Sequence, residues 1–273
     1  MARYLTKSRF RLALECPVKL FYTGKPEYPD TKVDDEFLIA LAEGGFQVGA
    51  LAKLYYPGGI EITDRGYDIP LEKTQQLLAM ENVIIFEAAF AFENLFIRAD
   101  IIIKKGNHID LIEVKSKSFR EEDETAFVGK KGGINAGWKP YLYDVAFQKH
   151  VIQSAFPQFS VTAHLMLADK EKKATVDGLN QKFFINHDKH GRVFIEPEGD
   201  TSPEALGEKI LAEVNIDNIA SGIISGKYEA LESGLSFADT VKLYARHYAR
   251  DEMFERMVGA QCHKCEFDCS FED

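Results

Sequence analysis

The chain has 273 residues, 45% of them hydrophobic, and a formal net charge of −10 at pH 7. That length and apolar share suit a globular protein with a sizeable core, and the acidic balance excludes a generally basic nucleic-acid coat. No apolar run reads as long enough to span a bilayer, and the opening segment from Met1 to Arg11 lacks the apolar stretch of a secretory leader. A cytoplasmic protein with no membrane partner is therefore expected.

Residues 6–15 predict a short helix capped by Thr6 or Ser8, with Phe10, Leu12 and Leu14 inward, ended by Cys16-Pro17. Residues 34–55 read as helical, with Gly44-Gly45 as a weak point and Pro57-Gly58-Gly59 as the stop. Another helix follows at 71–80, then a meander of strands over 83–115. The polar, glycine-rich stretch 116–138 reads as a mobile loop. Beyond it come a helix at 140–156, an apolar strand at 159–168, short strands at 182–186 and 193–196, and helices at 203–225 and 236–256. This pattern predicts one α/β domain, a mixed central sheet with an antiparallel meander flanked by helices, its core at about 34–170 and accessory strands and helices over 171–256.

Charge is unevenly spread. Arg3, Lys7, Arg9, Arg11, Lys19 and Lys25 crowd the first 25 residues against only Glu15, whereas acid gathers elsewhere, as in Glu121-Glu122-Asp123-Glu124. Lys104, Lys105, Lys115, Lys117 and Arg120 cluster around the meander, and Lys130, Lys131, Lys139 and Lys149 follow. A basic cleft on an acidic body and mixed solvated faces both fit.

The meander holds the chemistry. Glu87, Asp100 and Glu113 recur at equal spacing among apolar and β-branched neighbours, and Lys115 follows Glu113 by two positions. A two-residue turn at Gly106-Asn107 opposes Asp100 to Glu113 and Arg98 to Lys115. The same register puts Ile97, Ala99, Ile101, Ile112 and Val114 on the other face. A second turn at Glu93-Asn94 opposes Glu87 to Asp100. Three carboxylates in a cross-strand row repel one another. Lys115 and Arg98 offset part of that, and a hard divalent cation such as Mg²⁺ or Mn²⁺ offsets more. Each acid read alone fits the polar face of an amphipathic meander; the set in register with a basic pair points to a metal site for phosphodiester hydrolysis.

Of the four cysteines, Cys262, Cys265 and Cys269 sit within eight residues and Cys16 lies near the other end. Tight spacing lets thiolates share one metal, either tetrahedral zinc or an iron–sulfur cluster, and such a metal would staple residues 1–25 to 257–273.

Asp100 followed by Glu113-Val114-Lys115 resembles the core of the PD-(D/E)XK nuclease superfamily. The helix bearing Tyr143-Asp144-Val145-Ala146-Phe147-Gln148 is similar to the glutamine motif of its RecB-like branch. The stretch from Ser8 to Tyr22 around Cys16-Pro17 resembles the iron–sulfur group that includes the AddB nuclease domain and CRISPR-associated RecB-like exonucleases. The resemblance covers about residues 8–155 and the last dozen. It implies a restriction-endonuclease-like core and a Mg²⁺- or Mn²⁺-dependent deoxyribonuclease of exonuclease type, acting in DNA repair, recombination or defence on DNA, single strands included. It implies Asp100, Glu113 and the Val114 carbonyl as metal ligands, with Glu87 a third or water-mediated one. Lys115 would stabilise charge or orient water, and Gln148 would position the water or the strand. Cys16, Cys262, Cys265 and Cys269 would hold a 4Fe–4S cluster, with structural Zn²⁺ as the alternative. The stretch from Gly45 to Gly49 departs from the family, which often carries a ligating histidine there. That departure and the net acidity leave a catalytically weak or inactive nucleic-acid-binding module of the same fold as the competing reading.

Overall fold

Strand β1 (Leu5–Thr6) runs straight into helix α1 (Lys7–Glu15), which Thr6 caps by accepting the Arg9 N–H at 3.4 Å. Pro17 follows the helix, and a short turn of helix, α2 (Lys19–Tyr22), comes next. The computed structural model describes residues 3–120, 126–189, 193–256 and 258–268; the acidic run Glu121 to Glu124 and Cys269 lie outside them.

Helix α3 (Glu36–Leu54) is capped by the Asp35 carboxylate, which accepts the N–H groups of Phe37 and Leu38. It runs unbroken through Gly44-Gly45, where the sequence suggested a weak point. Its second half packs on the sheet through Leu51 and Ala52, while Phe37, Ile39 and Leu41 in its first half are exposed. By length and composition α3 is apolar enough to cross a bilayer, contrary to the expectation of no such run; length and composition alone do not place the chain in a membrane.

Strand β2 (Ile60–Glu61) and helix α4 (Asp68–Leu78) lead to the meander: β3 (Asn82–Phe92), β4 (Leu95–Lys105) and β5 (His108–Phe119). Both tight turns form where expected, at Glu93-Asn94 and Gly106-Asn107, with Glu93 at φ 50° and Gly106 at φ 55°. Positive φ is free for glycine and costs energy at glutamate. The β3–β4 ladder keeps one register from Asn82↔Lys105 to Phe92↔Leu95, and the β4–β5 ladder runs from Lys105↔His108 to Ile101↔Ile112. β5 extends to Phe119, so the region expected to be a loop from 116 begins later.

Helix α5 (Lys139–Ala155) crosses back and returns the chain as β6 (Ser160–Asp169), parallel to β5. A small hairpin of β7 (Phe183–His187) and β8 (Val193–Pro197) stands apart from the main sheet. The region 203–225, expected to be helical, contains α6 (Pro203–Leu206), then β9 (Leu211–Asn215), then α7 (Asp217–Ile224). Pairing with β6 accounts for the strand, since Leu211 docks against Ala168 and is buried. Helix α8 (Phe237–Arg250) closes the set.

The main sheet is mixed, ordered β2-β3-β4-β5-β6-β9, with β1 parallel beside the far end of β4. Its two faces bury separate cores. On one side Phe10, Ile85, Ala88, Phe90, Ile97 and Ala99 pack with Leu142 and Phe147 of α5. On the other, Phe86, Ile101, Ile112 and Met166 pack with Leu51 and Ala52 of α3. The fold is thus α/β, with helices on both faces of a mixed central sheet. Each fully buried Leu, Ile or Phe contributes on the order of 2 kcal/mol, so these two layers hold the sheet between them.

Candidate active site

Glu87 and Asp100 stand on one rung between the pairs Phe86↔Ile101 and Ala88↔Ala99. Glu87 has φ 58°, a left-handed value inside a strand. Here the alternation of side chains resets in both strands. Ile85 and Ala88 fall in the α5-side core with Phe86 opposite, and Ala99 and Ile102 fall there with Ile101 opposite. Ile97 and Ala99 therefore lie on the α5 side, not with Ile101 and Ile112 as strict alternation predicted. Strict period two requires regular backbone, and this rung is irregular.

At the same level the sheet opens. The β4–β5 ladder stops at Ile101↔Ile112; β5 continues along β6 through Glu113↔Leu165 and Lys115↔Leu167, while β1 takes the flank of β4 at Leu95 and Phe96. Asp100 lies at the mouth of this gap and accepts the Val114 N–H on Oδ2 at 2.8 Å. Lys7, the first residue of α1, enters the gap from the β1 side. Its Nζ lies 3.2 Å from Asp100 Oδ1 and 3.0 Å from each oxygen of Glu113.

Glu113 points toward α5 and is sealed, its side chain 1% exposed. Lys115 lies on the same face of β5 and donates to Glu113 Oε1 and, at 3.2 Å, to Asp144 Oδ2. Gln148 donates to Glu113 Oε2 at 2.8 Å and to Asp144 Oδ1 at 3.1 Å. Asp144 and Gln148 are one turn apart on α5, a helix buried continuously from Leu142 to Lys149. Polar groups on such a helix must find partners, and these two meet the β5 residues. Gln148 Oε1 is buried without a hydrogen-bond partner.

Charge and burial set the protonation. Burial raises Asp100, the Glu113 carboxylate raises it further, and Lys7 and Lys115 pull it back, leaving it at about 6. Burial also works against an ionised Glu113, but Lys115, Lys7 and the hydrogen bonds from Lys115 and Gln148 outweigh it and hold Glu113 at about 2. Asp144 is raised by burial and by Glu113. Lys115 stays a cation: burial disfavours its charge, but Glu113 and Asp144 raise its pKa above the ordinary value.

Asp100, Glu113, Lys115 and Gln148 thus meet, as the sequence predicted. Glu87 does not join them. Its carboxylate pairs with Lys53 of α3 at 3.3 Å and with Arg98 Nε at 3.7 Å. Arg98 is not opposite Lys115 as predicted; it donates to the main-chain carbonyls of Ile62 and Asp64, because β5 has already left β4 at that level. Lys7 and Asp144 belong to the site and were missed. The four-residue interval between Asp144 and Gln148 was a usable signal, whereas nothing local marks Lys7.

Among the described residues no group of three or more histidine, cysteine, aspartate or glutamate side chains is arranged to hold a metal ion. Two carboxylates, Asp100 and Glu113, nonetheless converge on one cationic atom. The Val114 carbonyl faces the same gap as its N–H, since both groups of an extended residue point to one side. Hard oxygens of this kind fit Mg²⁺ or Mn²⁺, with water completing the shell.

Next to the site, Lys117 Nζ lies 4.7 Å from the Trp138 ring centre and 5.2 Å from that of Tyr141. Lys131 lines a cavity of about 330 Å³ with Lys139, Lys227, Tyr143 and Tyr228. Elsewhere, residues 19–31 meet residues 266–267. Lys19 Nζ bonds Glu266 at 2.6 Å, Thr31 N–H donates to the Glu266 carbonyl, and Asp30 bridges Phe267. Cys16 and Cys265 flank this contact in sequence, Cys262 is exposed, and Cys269 lies outside the described residues.

Compared with protein-family models, with curated proteins and with solved structures, the chain finds no match.

Proposed function

We propose that this protein is a metal-dependent nuclease that hydrolyses phosphodiester bonds of DNA on a restriction-endonuclease-like core. One observation carries the reading: Asp100 and Glu113, on strands that part between them, direct carboxylate oxygens at one cation, with Lys115 and Gln148 bound to Glu113. A divalent ion held by Asp100, Glu113 and the Val114 carbonyl would supply an acidified water and Lewis acidity toward the scissile phosphate. Lys115, kept protonated by Glu113 and Asp144, acts as a fixed positive charge against the developing negative charge and not as a base. Gln148 and Asp144 fix Lys115 and Glu113 in orientation from the buried side. Lys117 and Trp138 beside the site fit a strand held by charge and stacking.

We also propose a staple in which Cys16, Cys262, Cys265 and Cys269 hold a 4Fe–4S cluster, or Zn²⁺ in its place: residues 264–268 contact residues 19–32, although among the described residues Cys16, Cys262 and Cys265 are not themselves grouped to hold a metal ion. The test of function is cleavage of DNA with Mn²⁺ or Mg²⁺ by the purified chain, lost in Asp100→Ala and Lys115→Ala.

A second reading, a nucleic-acid-binding module of this fold with little or no turnover, is favoured by the ammonium of Lys7 between the two ligand carboxylates. It predicts DNA binding without cleavage under any divalent ion.

A further inference from the structure

We infer that Lys7 is a built-in cation that occupies the seat of the divalent ion, so that Lys7 and metal compete for Asp100 and Glu113. The inference rests on the reading of this site as a metal site and adds a regulator of its occupancy.

The Lys7 ammonium contacts both oxygens of Glu113 at 3.0 Å and Oδ1 of Asp100 at 3.2 Å, the same carboxylates that would ligate an ion. Its stem starts from a rigid base. β1 is hydrogen-bonded to the β3–β4 turn through the Leu5 N–H and the Asn94 carbonyl at 2.8 Å. α1 is fastened to α5 by Phe10 stacked on Phe147, ring centres 4.5 Å apart. The backbone of Lys7 is therefore fixed, and the four-carbon stem is the part that can swing. The side chain is 22% exposed, which leaves a path out toward solvent.

Charge explains why the seat needs a tenant. Asp100, Glu113 and Asp144 face Lys7 and Lys115, and removing Lys7 leaves three carboxylates against one ammonium. A divalent ion in place of Lys7 exchanges one positive charge for two at a site that carries excess acid. Lys7 thus holds the carboxylates together without metal and must leave Glu113 when metal enters.

The test is calorimetric titration of Mn²⁺ into the full chain as wild type, Lys7→Met, Lys7→Gln and Lys7→Arg, with melting temperatures taken with and without Mn²⁺. Lys7→Met and Lys7→Gln should bind Mn²⁺ roughly tenfold or more tightly than wild type, the size of one lost ion-pair contact in a largely buried site. Both should melt lower than wild type without metal and gain more on adding Mn²⁺, and Lys7→Arg should behave as wild type. Equal or weaker Mn²⁺ binding by Lys7→Met and Lys7→Gln, beside a wild type that binds, overturns the inference and leaves the metal site standing. Absence of Mn²⁺ binding by all four proteins overturns both.

Discussion

Gln148 on α5 donates its amide to Glu113 Oε2 at 2.8 Å, and both side chains are buried. Hydrogen bonds to a buried charge contribute about 1.5–3 kcal/mol. Gln148→Leu should therefore lower stability by about that amount in urea and slow Mn²⁺-dependent cleavage roughly tenfold to a hundredfold. A variant as stable and as active as wild type would show that Gln148 merely fills space.

Asp100 is a carboxylate that the fold strains. Its pKa is raised from the ordinary 3.8 to about 6 by burial and by Glu113, so ionising it costs the folded state energy. Stability from this group is present while Asp100 is protonated and falls as pH rises from about 4 through 6. By 1.4 kcal/mol per unit, the loss at pH 7 is on the order of 3 kcal/mol. Asp100→Asn should thus match wild type in melting temperature near pH 4, exceed it at pH 7 without metal, and lose cleavage. A melting temperature below wild type at pH 7 would contradict the strain.

His164 on β6 also loses stability as pH rises, but because the fold favours its charged form. Its Nδ1 lies 3.0 Å from Glu213 and its Nε2 lies 3.5 Å from Asp110, while Tyr56 donates to the other oxygen of Glu213 at 2.6 Å. The hydrogen bond that His164 donates to the Glu213 carboxylate raises the His164 pKa against the effect of burial. A raised histidine stabilises fully below its unfolded value near 6.5, and that stability is lost as pH rises through the folded value. The unfolding midpoint should drop from pH 6 to pH 8, and the drop should shrink in His164→Gln. Identical pH slopes in the two proteins would exclude this pair as the source.

The cysteines give a separate prediction. Purified protein should carry iron or zinc in stoichiometric amount, brown if iron–sulfur and colourless if zinc. Cys16→Ser and Cys265→Ser should each lose the metal and melt lower, because a bound metal would join segments that otherwise rest on contacts such as Lys19 with Glu266. Full metal content in both variants would remove the four-cysteine staple.

Much of the site was legible because turns are local. Gly106-Asn107 and Glu93-Asn94 set the two registers, and the ladders follow them up to Ile101↔Ile112 and on either side of Glu87, while Asp100 and Glu113 themselves lie just past the end of the β4–β5 ladder. Alternation then misled at one rung, where Glu87 adopts φ 58° and both strands reset their faces. The parting of β4 from β5 was hidden too, because it depends on β6 and β1 competing for strand edges far away in sequence. Lys7 was hidden for the same reason, being brought to Asp100 by the pairing of Leu5 with Leu95. Strand β9 reads as helix until β6 is beside it.

If Asp100, Glu113 and Lys115 form the proposed metal-dependent hydrolytic site, DNA cleavage depends on each of them. The most direct test is the rate of Mn²⁺-dependent DNA cleavage by wild type, Asp100→Asn and Lys115→Ala, purified side by side and shown to be folded. Cleavage by wild type should stop with EDTA and fall by about a thousandfold or more in each variant. Cleavage of wild-type rate in either variant would contradict that dependence.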